Sequence, residues 1–313
     1  MKANREIHRS LKGPFLPGFL LASFIFFLFF SFFPANVFAG LLLGAELRFT
    51  YEDNVVGLLS DQPKGAGGGG GAPGVTMPMN GIGGMGGGPM GSGPNNNRYT
   101  GSGSGATQTG DFSATVSAEA GGYQDVGSDV SLFAKAFANG TKYNTFTDLD
   151  ATIGGVSTGI SASLSDSVLA RVSVLGEIKR FGDSDRDSTA FGGNLGLKEK
   201  LTPSFWLREF GAYEKNHADD PFFSYTGTTI GIGAGYAFTR TTLATIGYSY
   251  LIRKFDEPSG AEIKTNTVYA GAEHSFAKSW SVGAEYDLQL SKENITGSST
   301  TDNIFSLALR YSY

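Results

Sequence analysis

From residue 40 to the end of the chain, apolar and polar residues alternate, segment after segment, and no other feature restricts the fold as strongly. The last segment is the clearest. Phe305, Leu307, Leu309, Tyr311 and Tyr313 fall on one face, and Ser306, Ala308, Arg310 and Ser312 on the other. A period of two is the period of a β-strand, whose successive side chains point to opposite faces. In 280–290, Trp280, Val282, Ala284, Tyr286, Leu288 and Leu290 alternate with Ser281, Gly283, Glu285, Asp287 and Gln289. In 168–180, Val168, Ala170, Val172, Val174 and Ile178 alternate with Arg171, Ser173, Glu177 and Lys179. In 43–52, Leu43, Ala45, Leu47, Phe49 and Tyr51 alternate with Glu46, Arg48, Thr50 and Glu52.

Read through to the end, the pattern predicts about twelve strands, each roughly 10–14 residues and long enough to cross a bilayer at a tilt. They lie near 41–53, 111–122, 129–141, 150–164, 167–181, 188–200, 204–216, 224–238, 241–255, 263–276, 279–293 and 302–313. The segment 204–216 strains the rule. Arg208 and Glu209 are adjacent, so strict alternation sends one charge outward, unless a β-bulge or a place at the bilayer edge accommodates it.

Connector lengths point the same way. Ser165-Asp166-Ser167, Thr202-Pro203-Ser204, Thr239-Arg240-Thr241 and Ala277-Lys278-Ser279 are tight turns, and longer polar loops at 142–149, 182–187, 217–223, 256–262 and 294–301 come between them. A membrane barrel alternates short periplasmic turns with longer extracellular loops. A soluble β-sandwich also alternates along its strands, but has no reason to alternate its turn lengths. Nor would a sandwich gather Phe181, Phe205, Trp206, Tyr225, Phe238, Phe255, Phe276, Trp280 and Tyr313 near strand termini, where a barrel carries its interface girdle.

The N-terminal segment reads as an address. Lys2, Arg5, Arg9 and Lys12 precede an apolar, Phe-rich run from Phe15 to Phe33; Pro34 breaks it, and Val37-Phe38-Ala39 stands before Gly40. This is the plan of a secretory signal peptide covering 1–39, with an uncleaved anchor as the alternative. The domain proper is then 40–313. The whole chain carries a net charge of −5, and its leader has four cations against Glu6, so the remainder is −8. An acidic exported chain without a basic run gives no support to nucleic-acid binding. The chain has no cysteine, which excludes thiolate metal sites, disulfides and cysteine nucleophiles.

The alternate residues Phe305, Leu307, Leu309, Tyr311 and Tyr313 resemble the C-terminal assembly signal of Gram-negative outer-membrane proteins, although most of those end in Phe. Tyr51-Glu52-Asp53-Asn54-Val55 also looks like the opening of various porin-like barrel families. The resemblance implies an all-β fold, a transmembrane antiparallel up-and-down β-barrel in the cell outer membrane. It implies contact with outer-membrane lipid and lipopolysaccharide, recognition by the barrel-assembly machinery, and no cofactor.

Lipid does not solvate charge, so the charged residues of the strands are expected to face the lumen. They are Glu46, Arg48, Glu119, Lys135, Arg171, Glu177, Lys179, Lys198, Arg253, Glu273, Glu285, Asp287 and Arg310. Many of their neighbours are small, as in Gly155, Ser157, Gly159 and Ser161, or Thr229, Gly231, Gly233 and Gly235, and small residues leave space. Eight-stranded barrels are filled by side chains and sixteen-stranded ones hold a channel; twelve lies between. The lumen is therefore a narrow aqueous pore, or a set of ion pairs that closes it.

Two loops remain. The connector 56–110 holds 18 of the 46 glycines between Gly65 and Gly105, and is expected to be a disordered first extracellular loop. It carries Met77, Met79, Met85 and Met90; Met77-x-Met79 resembles methionine motifs of copper-handling proteins, but spacing alone fixes no geometry, and no metal site is assigned. Farther on, His217, Asp219 and Asp220 in one outer loop and Asp183, Asp185 and Asp187 in another resemble the His/Asp site of omptin proteases. The three alternating aspartates also resemble the start of a calcium loop, without its glycine or glutamate (Ser188 and Asn194 stand there). His274 falls near a strand end, as an interface residue would. The favoured function is a passive, porin-like channel for small polar solutes. The alternatives are a closed barrel acting through its extracellular loops and a hydrolase using the loop His/Asp residues.

Overall fold

The computed structural model describes residues 40–55, 110–295, 297 and 299–313; the expected leader and the loop residues 56–109, including the four methionines, lie outside the described residues. Twelve strands follow one another: β1 (Gly40–Glu52), β2 (Asp111–Asp125), β3 (Val130–Tyr143), β4 (Ala151–Ser163), β5 (Val168–Phe181), β6 (Ser188–Lys200), β7 (Phe205–Ala218), β8 (Tyr225–Ala237), β9 (Thr242–Phe255), β10 (Glu262–Ala277), β11 (Trp280–Glu293) and β12 (Ser299–Ser312). Each pairs antiparallel with the next, and β12 pairs with β1 from Gly44 opposite Ser312 to Glu52 opposite Ile304. The sheet is thus a closed barrel with no free edge. All twelve expected strands are present, with ends displaced by three residues or fewer.

The two faces divide as alternation requires. On β1, Leu41, Leu47, Phe49 and Tyr51 are exposed while Arg48, Thr50 and Glu52 are buried. On β12, Phe305, Leu307 and Leu309 are exposed while Asp302, Ile304 and Ala308 are buried. Apolar side chains are exposed on strand after strand around the barrel, an unstable surface in water and a fitting one in hydrocarbon. Glu209 is the exception. The β6–β7 and β7–β8 registers run through it without a break, so no bulge turns it inward, and it sits exposed on the outer wall opposite Leu197 and Ile232. The register shift falls instead in β10–β11, between Ser275 and Ala277.

A repeat unites the hairpins. β4, β6, β8, β10 and β12 begin at Ala151, Ser188, Tyr225, Glu262 and Ser299, each 37 residues after the last. Three of the tight turns are chemically alike and equally spaced. The hydroxyl of Ser165 accepts the N–H of Val168 at 3.2 Å, that of Thr202 the N–H of Phe205 at 2.9 Å, and that of Thr239 the N–H of Thr242 at 2.9 Å. A hydroxyl bonded to the backbone a few residues on fixes a tight reversal.

At the opposite rim, three loops contain a short 3-10 turn: Thr147–Leu149, Ser184–Arg186 and Pro221–Phe223. The residue after each turn reaches back to its strand. Asp150 accepts the N–H of Tyr143 at 2.8 Å, Asp187 that of Phe181 at 2.7 Å, and Ser224 that of Ala218 at 2.9 Å. Each loop also bonds to the one before: Gly182 N–H to Asp150 O at 2.7 Å, Asp219 N–H to Asp187 O at 2.8 Å, and Asp256 N–H to Ser224 O at 2.9 Å. The rim is therefore tiled, one loop resting on the next. Asp111 fixes the first tile by accepting the N–H groups of Thr145 and Phe146 at 2.8 and 2.9 Å. Asp111→Ala leaves those two donors without their acceptor, a loss of about 1–3 kcal/mol. It is expected to lower the temperature at which the folded, fast-migrating gel band disappears, whereas Asp166→Ala in an opposite turn leaves that temperature unchanged.

Candidate functional site: the barrel lumen

The lumen is built from the inward residue of every pair along the strands. On the wall formed by β10, β11, β12 and β1, Arg310 bonds Glu46 at 2.6 Å, Glu273 at 2.8 Å and Glu285 at 2.9 Å. Arg48 bonds Glu46 at 2.8 Å and Glu285 at 2.5 Å. Asp287 lies beside them, buried and in electrostatic contact with Glu285 and Arg48. Four carboxylates thus meet two guanidinium groups, and this wall is acidic.

A second network joins β5, β7, β8 and β9. Lys179, fully buried, bonds Glu214 at 2.6 Å and Glu177 at 3.4 Å. The Tyr225 hydroxyl donates to Glu214 at 2.9 Å, and the Arg253 guanidinium lies 4.3 Å from the centre of the Tyr225 ring. A third pairs Lys135 of β3 with Glu119 of β2 at 2.9 Å. Arg171 of β5 lies over the Phe133 ring at 3.8 Å. Glu214, Tyr225 and Arg208 were not among the residues expected in the lumen. The 37-residue period identifies two of them: Arg171 and Arg208 are one repeat apart, and so are Glu177 and Glu214.

Two expectations are corrected by strand parity. Phe181, Tyr225 and Phe255 do not belong to an outer girdle. They fall on the inward positions of β5, β8 and β9 and pack with Ala151 and Ala261 into a buried cluster at the long-loop rim. A second such cluster holds Val55, Tyr143 and Leu149. Arg186 lies over the rings of Phe181 and Phe223, at 4.8 and 5.6 Å, tying the loop tiles to the first cluster. These groups form an apolar collar at that mouth. Trp206 also turns inward, whereas Phe238, Phe276, Trp280 and Tyr313 are exposed outside at the opposite rim. The second correction concerns the inward glycines, whose space is occupied. A Cβ at Gly155 or Gly159 would strike the rings of Phe137 or Phe133, and one at Gly231, Gly233 or Gly235 would strike Phe210, Tyr269 or Trp206. The rings lie against bare backbone and fill the space that the glycines leave.

The loop residues are engaged in structure. Asp183 and Asp220 cap their 3-10 turns by accepting from the N–H groups of Asp185 and Phe222. Burial raises the Asp187 carboxyl, against the bond from Phe181 N–H and the attraction of Arg180, with Asp219 and Asp183 adding repulsion. His217 is exposed at the end of β7, and among the described residues no hydrogen bond joins it to a carboxylate. Nor do His, Cys, Asp and Glu gather there into a group of three able to hold a metal. The geometry thus does not assemble a His/Asp hydrolytic pair. His274, exposed near the short-turn rim, bonds the Thr242 hydroxyl at 2.9 Å.

No family model matches the sequence, and no curated protein matches it. Among solved structures, the fold is similar to that of an outer membrane channel from Pseudomonas putida F1, with a TM-score of 0.56 and 8% identity over 90% of this chain and 99% of that one. The chain has the fold of an outer-membrane β-barrel. A deletion mutant of the monoaromatic hydrocarbon channel TodX matches at a TM-score of 0.47 and 12% identity, over 90% and 91% of the two chains. The outer membrane channel DcaP of Acinetobacter baumannii matches at 0.41 and 12%, over 88% and 98%.

Arg310 is the cation on which the acidic wall turns. Arg310→Ala leaves Glu46, Glu273 and Glu285 short of a partner inside the barrel, a loss of about 3–5 kcal/mol. Urea unfolding in detergent is expected to show it as a lower midpoint, with Arg310→Lys between the variant and the parent.

Proposed function

We propose that the protein is a passive, porin-like channel of the outer membrane for small polar solutes, exported by a cleaved signal peptide at 1–39. The observation that carries the reading is the hydrogen-bond inventory of the inner wall. The hydroxyls of Ser157 and Thr267, both amide atoms of Gln289 and the Nε atoms of Arg208 and Arg253 are buried without a partner in the protein. Each such group costs about 1–3 kcal/mol if left unmet. Spread over β4, β7, β9, β10 and β11, these groups and the ion-pair networks line the interior with polar and charged side chains from strands around the ring, the lining of an aqueous channel rather than of an apolar core. A polar interior inside a lipid-facing wall supports a channel.

Charge distribution adds direction. Strand β6 stands opposite β12 in the twelve-strand ring. The acidic wall at β10 to β1 therefore faces a wall at β5 to β7 on which Arg171, Lys179, Lys198 and Arg208 outnumber Glu177 and Glu214. A second reading, a closed barrel acting through its extracellular loops, is favoured by the apolar collar and the tiled rim.

The exported protein, extracted from outer membranes and placed in a planar bilayer, is expected to give discrete current steps that grow with potassium chloride concentration. A silent bilayer from protein that still shows heat-modifiable gel migration would sink the channel reading and leave the closed barrel.

A further inference from the structure

The lumen treats its cations in two ways. Arg48, Lys135, Lys179 and Arg310 each bond a carboxylate. Arg171, Lys198 and Arg208 do not, nor does Arg253, whose ring is Tyr225 and which has Glu214 in electrostatic reach: among the described residues no carboxylate lies within ion-pairing distance of any of them. They rest on aromatic faces instead, Arg171 on Phe133 at 3.8 Å, Lys198 on Trp206 at 4.7 Å and Arg208 on Phe210 at 4.9 Å. Glu119, the carboxylate in electrostatic reach of Arg171, is already held by Lys135 at 2.9 Å. Arg208 has Tyr269 and Arg171 in electrostatic reach, and Lys198 has Lys200 and Arg208. A ring holds a cation in place without cancelling its charge, so Arg171, Lys198 and Arg208 keep their charge and their N–H donors.

Their arrangement is compact. Lys198 and Arg208 are direct cross-strand partners of β6 and β7. Gly196, two residues before Lys198 on the same inward face, stands between Arg171 on β5 and Phe210 on β7. Arg171, Lys198 and Arg208 are thus grouped around Gly196, a buried position that adds no side chain of its own. Like charges placed directly opposite on neighbouring strands destabilise a sheet. The aromatic faces offset part of this cost, and among the described residues no carboxylate pairs with any of the three.

We propose that Arg171, Lys198 and Arg208, grouped around Gly196, together bind the oxyanion of a solute in transit, a carboxylate or a phosphate. Guanidinium forks suit the two oxygens of such a group, and the ammonium adds a point charge. The acidic wall across the lumen keeps the anion on the β5 to β7 side. This assignment rests on the channel reading for its transport role, but not for binding.

The test adds citrate or inorganic phosphate to exported protein conducting potassium chloride in a planar bilayer. Saturable reduction of the current is expected, with the half-effect concentration raised at least about tenfold in R171Q/K198Q/R208Q, equivalent to about 1.4 kcal/mol. R171K/R208K, which keeps the charge, is expected to stay much closer to the parent, as is R253Q in the second network. A stronger effect of citrate assigns a carboxylate, and a stronger effect of phosphate assigns a phosphate. Normal potassium chloride steps untouched by both anions, or an effect unaltered in the triple variant, would overturn the site while leaving the channel intact. If the bilayer is silent, calorimetric titration of the detergent-solubilised barrel with each anion decides: heat lost in the triple variant supports the site, and no heat in the parent overturns it. Heat-modifiable migration of each variant checks that it folded.

Discussion

Within hydrocarbon every backbone N–H and C=O requires a partner inside the protein, and the pairing of β12 with β1 meets that requirement. An open sheet of eleven pairings would present two rows of unsatisfied groups to lipid. Closure turns one face of every strand to the bilayer and the other to a common interior. Once the ring is closed, the position of a residue along its strand decides its solvent. Leu307 meets lipid and Arg310 meets three carboxylates because they differ in parity.

The interior then has to accommodate what lipid rejects. It does so with two devices. Ion pairs neutralise charge, as around Arg310 and Lys179, and aromatic rings hold cations that stay charged, as at Arg171 and Arg208. Inward glycines serve the second device, because only bare backbone lets a ring lie flat against the wall. Opposite walls of opposite sign and an apolar collar at the long-loop mouth follow from where these residues fall on twelve strands. The inferred oxyanion site is where three cations of this wall stand together without a carboxylate bonded to them.

The strands were legible in the sequence because the two-sided environment writes itself as alternation, and β12 shows how plainly. Connector lengths were legible for the same reason. The interior was less so. Tyr225, Phe181 and Phe255 look like girdle residues by type, and only the register assigns them to the lumen. Glu214 lies on a strand whose Arg208-Glu209 pair obscures its parity, and Glu209 does in fact face outward without a bulge. The 37-residue spacing of hairpins was present in the sequence, but few side chains repeat with it, since the repeated quantity is geometry: strand length, turn length and tile length. The loop aspartates were read for chemistry, while the fold uses Asp150, Asp183, Asp187 and Asp220 to hold backbone N–H groups.

The account depends most on β12 separating lipid from a wet interior, residue by residue. The chain has no cysteine, so single cysteines placed in turn from Asp302 to Arg310 each carry one spin label. Accessibility to oxygen, which partitions into lipid, should peak at positions 303, 305, 307 and 309. Accessibility to a water-soluble nickel chelate should peak at 304, 306, 308 and 310, out of phase with the first. Two profiles rising and falling together, or no alternation at all, would contradict a two-faced barrel with a hydrated lumen.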